Sequence, residues 1–545
     1  MVQKSAPGTL RPASCDCRVP GPPDRARRDP QGQNAGRPAG RSRVAVAACR
    51  RAVTREKQEM DVELDGLVAV VKRDCPTCEL VQPVLRDLAA RAGLKLRVYS
   101  QDDPAFPEGV PGVIDDRPLA FSYRNRIEIV PTLLRFERGE EKARIFGWNR
   151  GDWQSLTGVK ELGAALPENR PGCGAKNIEP GVVEELAARF GDTGLVSRRV
   201  RLPSSVDPVE AMFERGWTDG LPVTPPTEAR VLRMLKGTTR SPDEVVAIIP
   251  PDHSPCTVEK AAVNAVLAGC KPEYFPVVLA AIETACSGRF GMHGVLCTTS
   301  FATPMILVSG PISRAIGMNS GRNVLGQGNR ANATIGRALN LVIRNVGGGR
   351  PGPGEIDRCT LGHQGKYTMC FAEDELNSPW ESLAVERGFR PDQNVVHVFS
   401  ATGVQGCQDY KSRTPEEMVA TYVQCLRVVN HPKITFSTAM LVIAPEHSIR
   451  FKEAGWSKQQ LKDAILERMQ IPVRELMPGY NGDGEGLRRI TPEQRAHLDD
   501  PDYRIPKFLP EGLNVVAAGG EAGMNTAIIG GLSMEIGMDW KEIRL

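Results

Sequence analysis

The sequence predicts an α/β protein: a small N-terminal domain, a larger α/β domain behind it and a basic tail in front. Three observations carry this. Apolar runs of strand length alternate with amphipathic helical stretches from residue 60 onward. A chain of 545 residues is too long for one ordinary domain. Residues 1–59 hold thirteen Lys or Arg against five Asp or Glu and no Phe, Trp or Tyr. Such a segment buries too little apolar surface to offset its ordering entropy, so disorder is expected there. Two readings of it stand open: an artefactual extension ahead of a true start at Met60, or a basic tail for an acidic partner. The whole chain sums to +4, so residues 60–545 carry a net −4, which argues against a general nucleic-acid surface. No apolar run reaches the roughly 18–20 residues a bilayer span needs. The first residues lack the apolar core of a secretory signal.

Residues 60–158 read as the first α/β domain. Leu67–Val71 is a buried strand, and residues 76–92 a helix with Leu80, Val84, Leu85 and Leu88 on one face. Gly93 ends it and Leu94–Tyr99 is a second strand. Residues 127–136 give a third, Glu137–Glu141 a hairpin turn, Ala143–Trp148 its return strand, and Asp152 opens a terminal helix. At the first strand-to-helix junction stands Cys75-Pro76-Thr77-Cys78. A helix N-terminus offers unpaired N–H groups and a positive dipole end, which favour a thiolate on the first Cys, with the second in reach to close a disulfide. The fourteen Cys show no regular framework and no second Cys-x-x-Cys, so a structural zinc site has little support. Scattered thiols suit a reducing cytoplasm, where a Cys pair reads as redox.

The order strand, Cys-x-x-Cys helix, strand, Val130-Pro131-Thr132 strand and Gly hairpin resembles the thioredoxins over about a hundred residues. The resemblance implies a cis-proline at Pro131 facing a redox-active Cys75–Cys78 disulfide, with the Val130 backbone free to pair with a bound peptide or substrate thiol. Catalytic Cys75, Cys78 and Pro131 follow from it, and no other cofactor is implied. Three departures stand out. Asp74 precedes the first Cys and is expected to raise its pKa by like-charge repulsion. Ala69 occupies a position where thioredoxins often keep a buried, proton-moving Asp. The path from Cys78 to Pro131 is lengthened by a Pro/Gly/Asp-rich insertion around 102–118, which would form a partner-specific lip. Together they suggest a dedicated dithiol, not a general reductant.

Residues 159–200 read as a connector with one short helix, Val182–Phe190. Within it Cys173 lies between two glycines, which suggests a mobile, exposed loop and a candidate third redox thiol beside an incidental one. Residues 201–545 read as the larger α/β domain. Helices are expected at Glu228–Leu235, Val258–Ala268, Pro276–Ala285, Ile335–Val342 and Pro415–Val428, and buried strands at Val245–Ile249, Met305–Val308, Val395–Phe399, Met440–Ala444 and Leu513–Ala518. Glycine-rich stretches adjoin them. Gly326, Gly328, Arg330 and Thr334 ahead of a helix, and Gly519, Gly520 and Gly523 after a strand, are candidate anion-binding residues. None matches a phosphate loop or dinucleotide fingerprint, and tight turns explain them equally. Candidate thiols are Cys256, placed near a helix N-cap, Cys270 and Cys297. His293 and Glu259 are candidate acid/base groups, and His293, Cys297 and Glu259 a candidate metal set.

The stretches Trp217–Thr227, Thr257–Tyr274, Gly326–Arg337, Asn345–Gly349, Lys366–Trp380, Pro445–Lys458 and Val515–Gly523 resemble an uncharacterised domain of bacterial thioredoxin-family proteins. They are also similar to the large domain joined to a Sec-Gly-Ser-Cys (UGSC) module in some bacterial selenoproteins. That resemblance implies a family without a reaction, and the Cys-Gly-Ser-Cys motif is absent here. The leading expectation is a cytoplasmic thiol–disulfide oxidoreductase module. It would exchange electrons with its own C-terminal enzymatic domain, through Cys256 or Cys270, or with a client disulfide, and an unidentified small molecule would be the substrate. Neither nucleic acid nor membrane is expected as a partner. Two alternatives stay open: a metal- or Cys-dependent lyase or hydrolase with the thioredoxin-like part as docking module, and a non-catalytic small-anion binder.

Overall fold

The computed structural model describes residues 64–532 and 537–545. The expectations for residues 1–59 and for a start at Met60 lie outside the described residues. The described residues fall into two units, Leu64 and Asp65 with Glu137–Glu140, and Gly66–Phe136 with the described part of Glu141–Leu545. In the first, Arg138 and Gly139 form a turn with positive φ at both residues (54° and 81°), the conformation a tight hairpin requires. The second unit contains nearly all the described residues, the dithiol among them. The protein is α/β throughout, as expected.

The first sheet holds β1 (Gly66–Val71), β2 (Leu96–Ser100), β3 (Ile114–Asp115), β5 (Thr132–Glu137) and β6 (Glu140–Phe146) in the order β3-β2-β1-β5-β6, with β4 (Ile129–Val130) just ahead of β5 and outside it. β1 is central and fully apolar, parallel to β2 and antiparallel to β5. That placement explains its unbroken Leu-Val-Ala-Val-Val run, because both of its faces are covered. The expected helix over 76–92 is two, α1 (Pro76–Leu80) and α2 (Gln82–Ala90), broken at Val81. Pro83 lacks an N–H and its ring crowds the carbonyl four residues back, so one continuous helix cannot form. The expected strand 127–136 is likewise interrupted at Pro131. Beyond β6 come β7 (Trp148–Asn149) and α3 (Arg150–Thr157), capped by the Asn149 side chain. The chain then returns as β8 (Asn169–Arg170) and β9 (Cys173–Gly174), before α4 (Val182–Phe190).

In the C-terminal part α5 (Glu228–Leu235) and α6 (Val258–Ala268) start at Thr227 and Thr257, whose hydroxyls each accept from a first-turn N–H. A hairpin, β10 (Val245–Ile249) and β11 (Ser254–Thr257), lies between them. Strand β10 was expected to be buried and is not. Val245 and Ile248 are about half exposed, because this two-stranded unit has one face open. A seven-stranded sheet forms the centre: β12 (Thr303–Ser309), β13 (Cys370–Ala372), β14 (Val395–Gln408), β15 (Ser437–Ile443), β18 (Phe508–Ala517), β19 (Asn525–Gly531) and β20 (Met538–Glu542). The short pair β16 (Gln470–Pro472) and β17 (Arg504–Pro506) stands apart from it. Side chains alternate along the strands. Ile306 and Val308 join the core under α6, α7 (Phe275–Ala285) and α8 (Arg330–Asn345), while Met305 and Leu307 face the opposite cluster. Strand β14 serves two neighbours on one side by bending at Gly403 (φ 133°), with β20 paired before the bend and β19 after it.

Candidate functional site

The dithiol sits where β1 runs into α1. Cys75 is the N-cap of α1, and its sulfur accepts from the Cys78 N–H at 3.3 Å. Both side chains are buried, Cys75 to 1% and Cys78 to 0% exposure, and both are free thiols. The Cys75 thiol is drawn down to about 5. The largest cause is the hydrogen bond from the Cys78 thiol. Burial opposes it, and bonds from the Cys173 thiol and the Cys78 and Thr77 N–H groups add to it. The Val130 carbonyl, 3.5 Å from the Cys75 sulfur, accepts only from the protonated thiol. Four donors against one acceptor leave the thiolate favoured. Cys78 moves far upward, through burial first and then through its donation to Cys75. One sulfur is thus ionised and the other protonated, a division of labour suited to an attacking and a resolving thiol. The like-charge repulsion expected from Asp74 does not decide the outcome: hydrogen-bond donors and burial are the largest causes, and the net shift is downward. Ala69 is fully buried and paired with Val98 and Leu133, so the floor beneath the dithiol carries no proton acceptor on this strand.

The loop before the dithiol is held by the insertion. Asp102 accepts from the Arg73 N–H (2.8 Å) and the Asp74 N–H (3.1 Å) through its two carboxylate oxygens. The Arg73 guanidinium bonds Asp103 and Glu108 and lies over the Phe106 ring, 5.3 Å from its centroid. Residues 102–108 therefore brace the approach to Cys75.

Opposite the thiols, the Val130–Pro131 bond is cis. The Val130 backbone, expected to be free, is occupied. β4 pairs antiparallel with β9, Val130 against Cys173 and Ile129 against Gly174. The connector is accordingly no mobile loop at this point, and Cys173 is half-buried beside Cys75. Its thiol is raised, by burial first and then by donation to Cys75. Thr77 Oγ1 donates to the Pro171 carbonyl at 2.6 Å, tying α1 to the same segment. Asp102, Thr77 and the connector's role escaped the sequence reading. The one available signal was the Pro171–Gly174 stretch, where only a glycine permits close backbone approach.

The remaining candidates lie elsewhere. Cys256 is on β11, one residue ahead of the helix cap Thr257, as expected. Its thiol donates to the Thr257 carbonyl at 3.6 Å and is pushed up to about 12 by burial. Cys270 donates to the Thr334 carbonyl at 3.4 Å and is likewise pushed up to about 12. Neither is poised as a thiolate. Cys297 is exposed. Glu259 is buried and accepts from the Val196 and Ser197 N–H groups at 3.0 and 2.9 Å, the position of a structural clamp. His293 stacks on His253, centroids 5.9 Å apart. Among the described residues no three His, Cys, Asp or Glu gather as a metal site, so His293, Cys297 and Glu259 do not form one. Gly326, Gly519, Gly520 and Gly523 meet along a cleft of about 630 Å³ whose lining residues include no Lys or Arg. Gly328, Arg330 and Thr334 do not line it: Arg330 donates to the Gly269 carbonyl and Thr334 to that of Arg330. The sequence reading also missed Glu373, fully buried, bonded to Ser309 and the Leu383 N–H, and pushed up to about 7 by that burial.

The family described as "TraF: F plasmid transfer operon protein" matches residues 33–147, about a fifth of the chain. The match covers the dithiol and Pro131 and is consistent with a thioredoxin-like domain there. No curated protein matches the chain.

Proposed function

We propose that the protein carries out thiol–disulfide exchange, with Cys75 as attacking and Cys78 as resolving thiol. The observation that carries the reading is the asymmetric pair: a Cys75 sulfur ringed by donors, beside a Cys78 that keeps its proton. The TraF match over the same segment supports it in general terms. Cys75 thiolate attacks a client disulfide, one client sulfur leaves as thiolate and takes up a proton, and a mixed disulfide remains. Cys78 then gives up its proton and attacks the Cys75 sulfur, releasing the second client thiol. Two electrons pass from the dithiol to the client, and Cys75–Cys78 closes. Within the C-terminal part, Cys297 is the exposed thiol among the described residues.

The test uses the full chain with Cys78→Ser, treated with oxidised glutathione. A covalent adduct on Cys75, to glutathione or to another thiol, is expected, and none should form in Cys75→Ser. A Cys75 that stays free sinks the proposal.

A further inference from the structure

The segment that covers Cys75 is bound as a substrate strand would be. The connector runs antiparallel along the loops facing the dithiol, paired through its main chain at Asn169–Arg170 and Cys173–Ala175 and tied by side-chain bonds between and beyond them. Arg170 and Asn169 pair with Trp148 and Asn149. The Pro171 carbonyl takes the Thr77 hydroxyl. Cys173 and Gly174 pair with Val130 and Ile129. The Ala175 N–H donates to the Glu128 carbonyl at 2.9 Å, and the Lys176 N–H to Gln101 Oε1 at 2.9 Å. The Asn177 side-chain amide closes the far end, donating to the Ile127 carbonyl at 2.6 Å. Main-chain pairing of this kind is how an extended peptide is held at an open strand, with side-chain position fixed by the register. The register puts Cys173 opposite Val130, whose carbonyl is 3.5 Å from the Cys75 sulfur. Gly172 makes the approach feasible: a Cβ there would stand 2.4 Å from Ile129 Cγ2 and 2.7 Å from the Val130 oxygen.

We propose that residues 169–177 are a built-in substrate strand and that Cys173 is the thiol with which Cys75 exchanges inside the chain. The proposal rests on the dithiol reading above. In the step itself, the Cys173 sulfur attacks Cys75 of the Cys75–Cys78 disulfide. The Cys75–Cys173 bond forms, the Cys75–Cys78 bond breaks, and the proton lost by Cys173 ends on Cys78. No electrons enter or leave, so the step needs no outside oxidant. Cys78, whose burial favours the protonated thiol, is the natural acceptor of that proton. An outside client must displace this strand, and it competes with a thiol at an effective concentration in the millimolar range.

The experiment oxidises the full chain with oxidised glutathione and maps disulfides by mass spectrometry without reduction. In Cys78→Ser, glutathione disulfide first caps Cys75, and Cys173 then displaces glutathione. The expected product is a Cys75–Cys173 link, replaced in the Cys78→Ser, Cys173→Ser double variant by a Cys75–glutathione adduct raised at least about tenfold. A Cys75–glutathione adduct with Cys173 free in the single variant overturns the inference and leaves the dithiol reading standing. An unmodified Cys75 in both variants overturns both. A parallel measurement on the unaltered fold needs no dithiol variant: Cys173→Ala should raise the alkylation rate of Cys75 several-fold, and an unchanged rate counts against a covering strand.

Discussion

Lowering the pH on the reduced protein should leave Cys75 ionised long after an ordinary thiol has protonated. The structure places its pKa at about 5. At pH 7 this makes Cys75 about 99% thiolate against about 3% for an unperturbed thiol near 8.5, a gain of about 30-fold. A less basic thiolate is also a weaker nucleophile; with a Brønsted slope of about 0.45, a pKa about 3.5 below that of the ordinary thiol costs about 40-fold. The two nearly cancel at pH 7. At pH 5.5 the thiolate gain is about 750-fold and the net advantage about 20-fold. The signature is therefore a flat profile down to pH 6, not a fast rate at neutrality. Ultraviolet absorbance of the thiolate, wild type minus Cys75→Ser, reads the equilibrium directly. Cys78→Ala removes the largest lowering contribution and should raise the midpoint by about one unit or more. The linkage sign is fixed too: a depressed folded pKa contributes stability present above the unfolded pKa and lost as pH falls through the folded one. The reduced form should gain up to about 1.4 kcal/mol per pH unit between about 5 and about 8.5. A wild-type midpoint at 8 or above would refute the reasoning.

Four further outcomes rest on the same contacts. Gly172→Ala drives a methyl against Ile129 and Val130; it should loosen the strand and speed Cys75 alkylation about tenfold or less, and no change would count against close packing there. Asp102→Ala removes the acceptor for two N–H groups ahead of the dithiol; urea unfolding should show a loss of about 1–2 kcal/mol. Glu259→Ala strands two N–H donors and should cost about 2–3 kcal/mol in urea unfolding, and an unchanged unfolding free energy would contradict its role as a clamp. Native alkylation at pH 8 should spare Cys256 and Cys270, buried with thiols near 12, and reach them only on unfolding; early labelling of either would contradict their placement.

Much of the scaffold was legible because it is written locally. The Leu67–Val71 run, the Thr227 and Thr257 caps and the left-handed Gly269 that ends residues 258–268 fix their elements within a few residues. The dithiol and Pro131 were legible as an ordered pattern. The connector was not: Pro171-Gly172-Cys173-Gly174 reads as a breaker, and its strand character comes from Val130, over forty residues away. The lowered pKa of Cys75 was expected from its place at a helix start, but the groups that set it were not legible, for a related reason. Asp74 is adjacent in sequence, but the groups that decide are donors brought in by folding, Cys78 across one turn and Cys173 from the far connector. The exposure of Val245 and Ile248 was hidden because an apolar run does not state whether a second layer covers it.

The most direct measurement is an equilibrium titration of the full chain in glutathione redox buffers, with free thiols alkylated and counted at Cys75 and Cys78. With samples acid-quenched and unfolded before alkylation, the account predicts that both thiols are lost together, as one two-electron transition that Cys75→Ser abolishes. Both thiols remaining alkylatable at the most oxidising poise, or titrating independently, would contradict it.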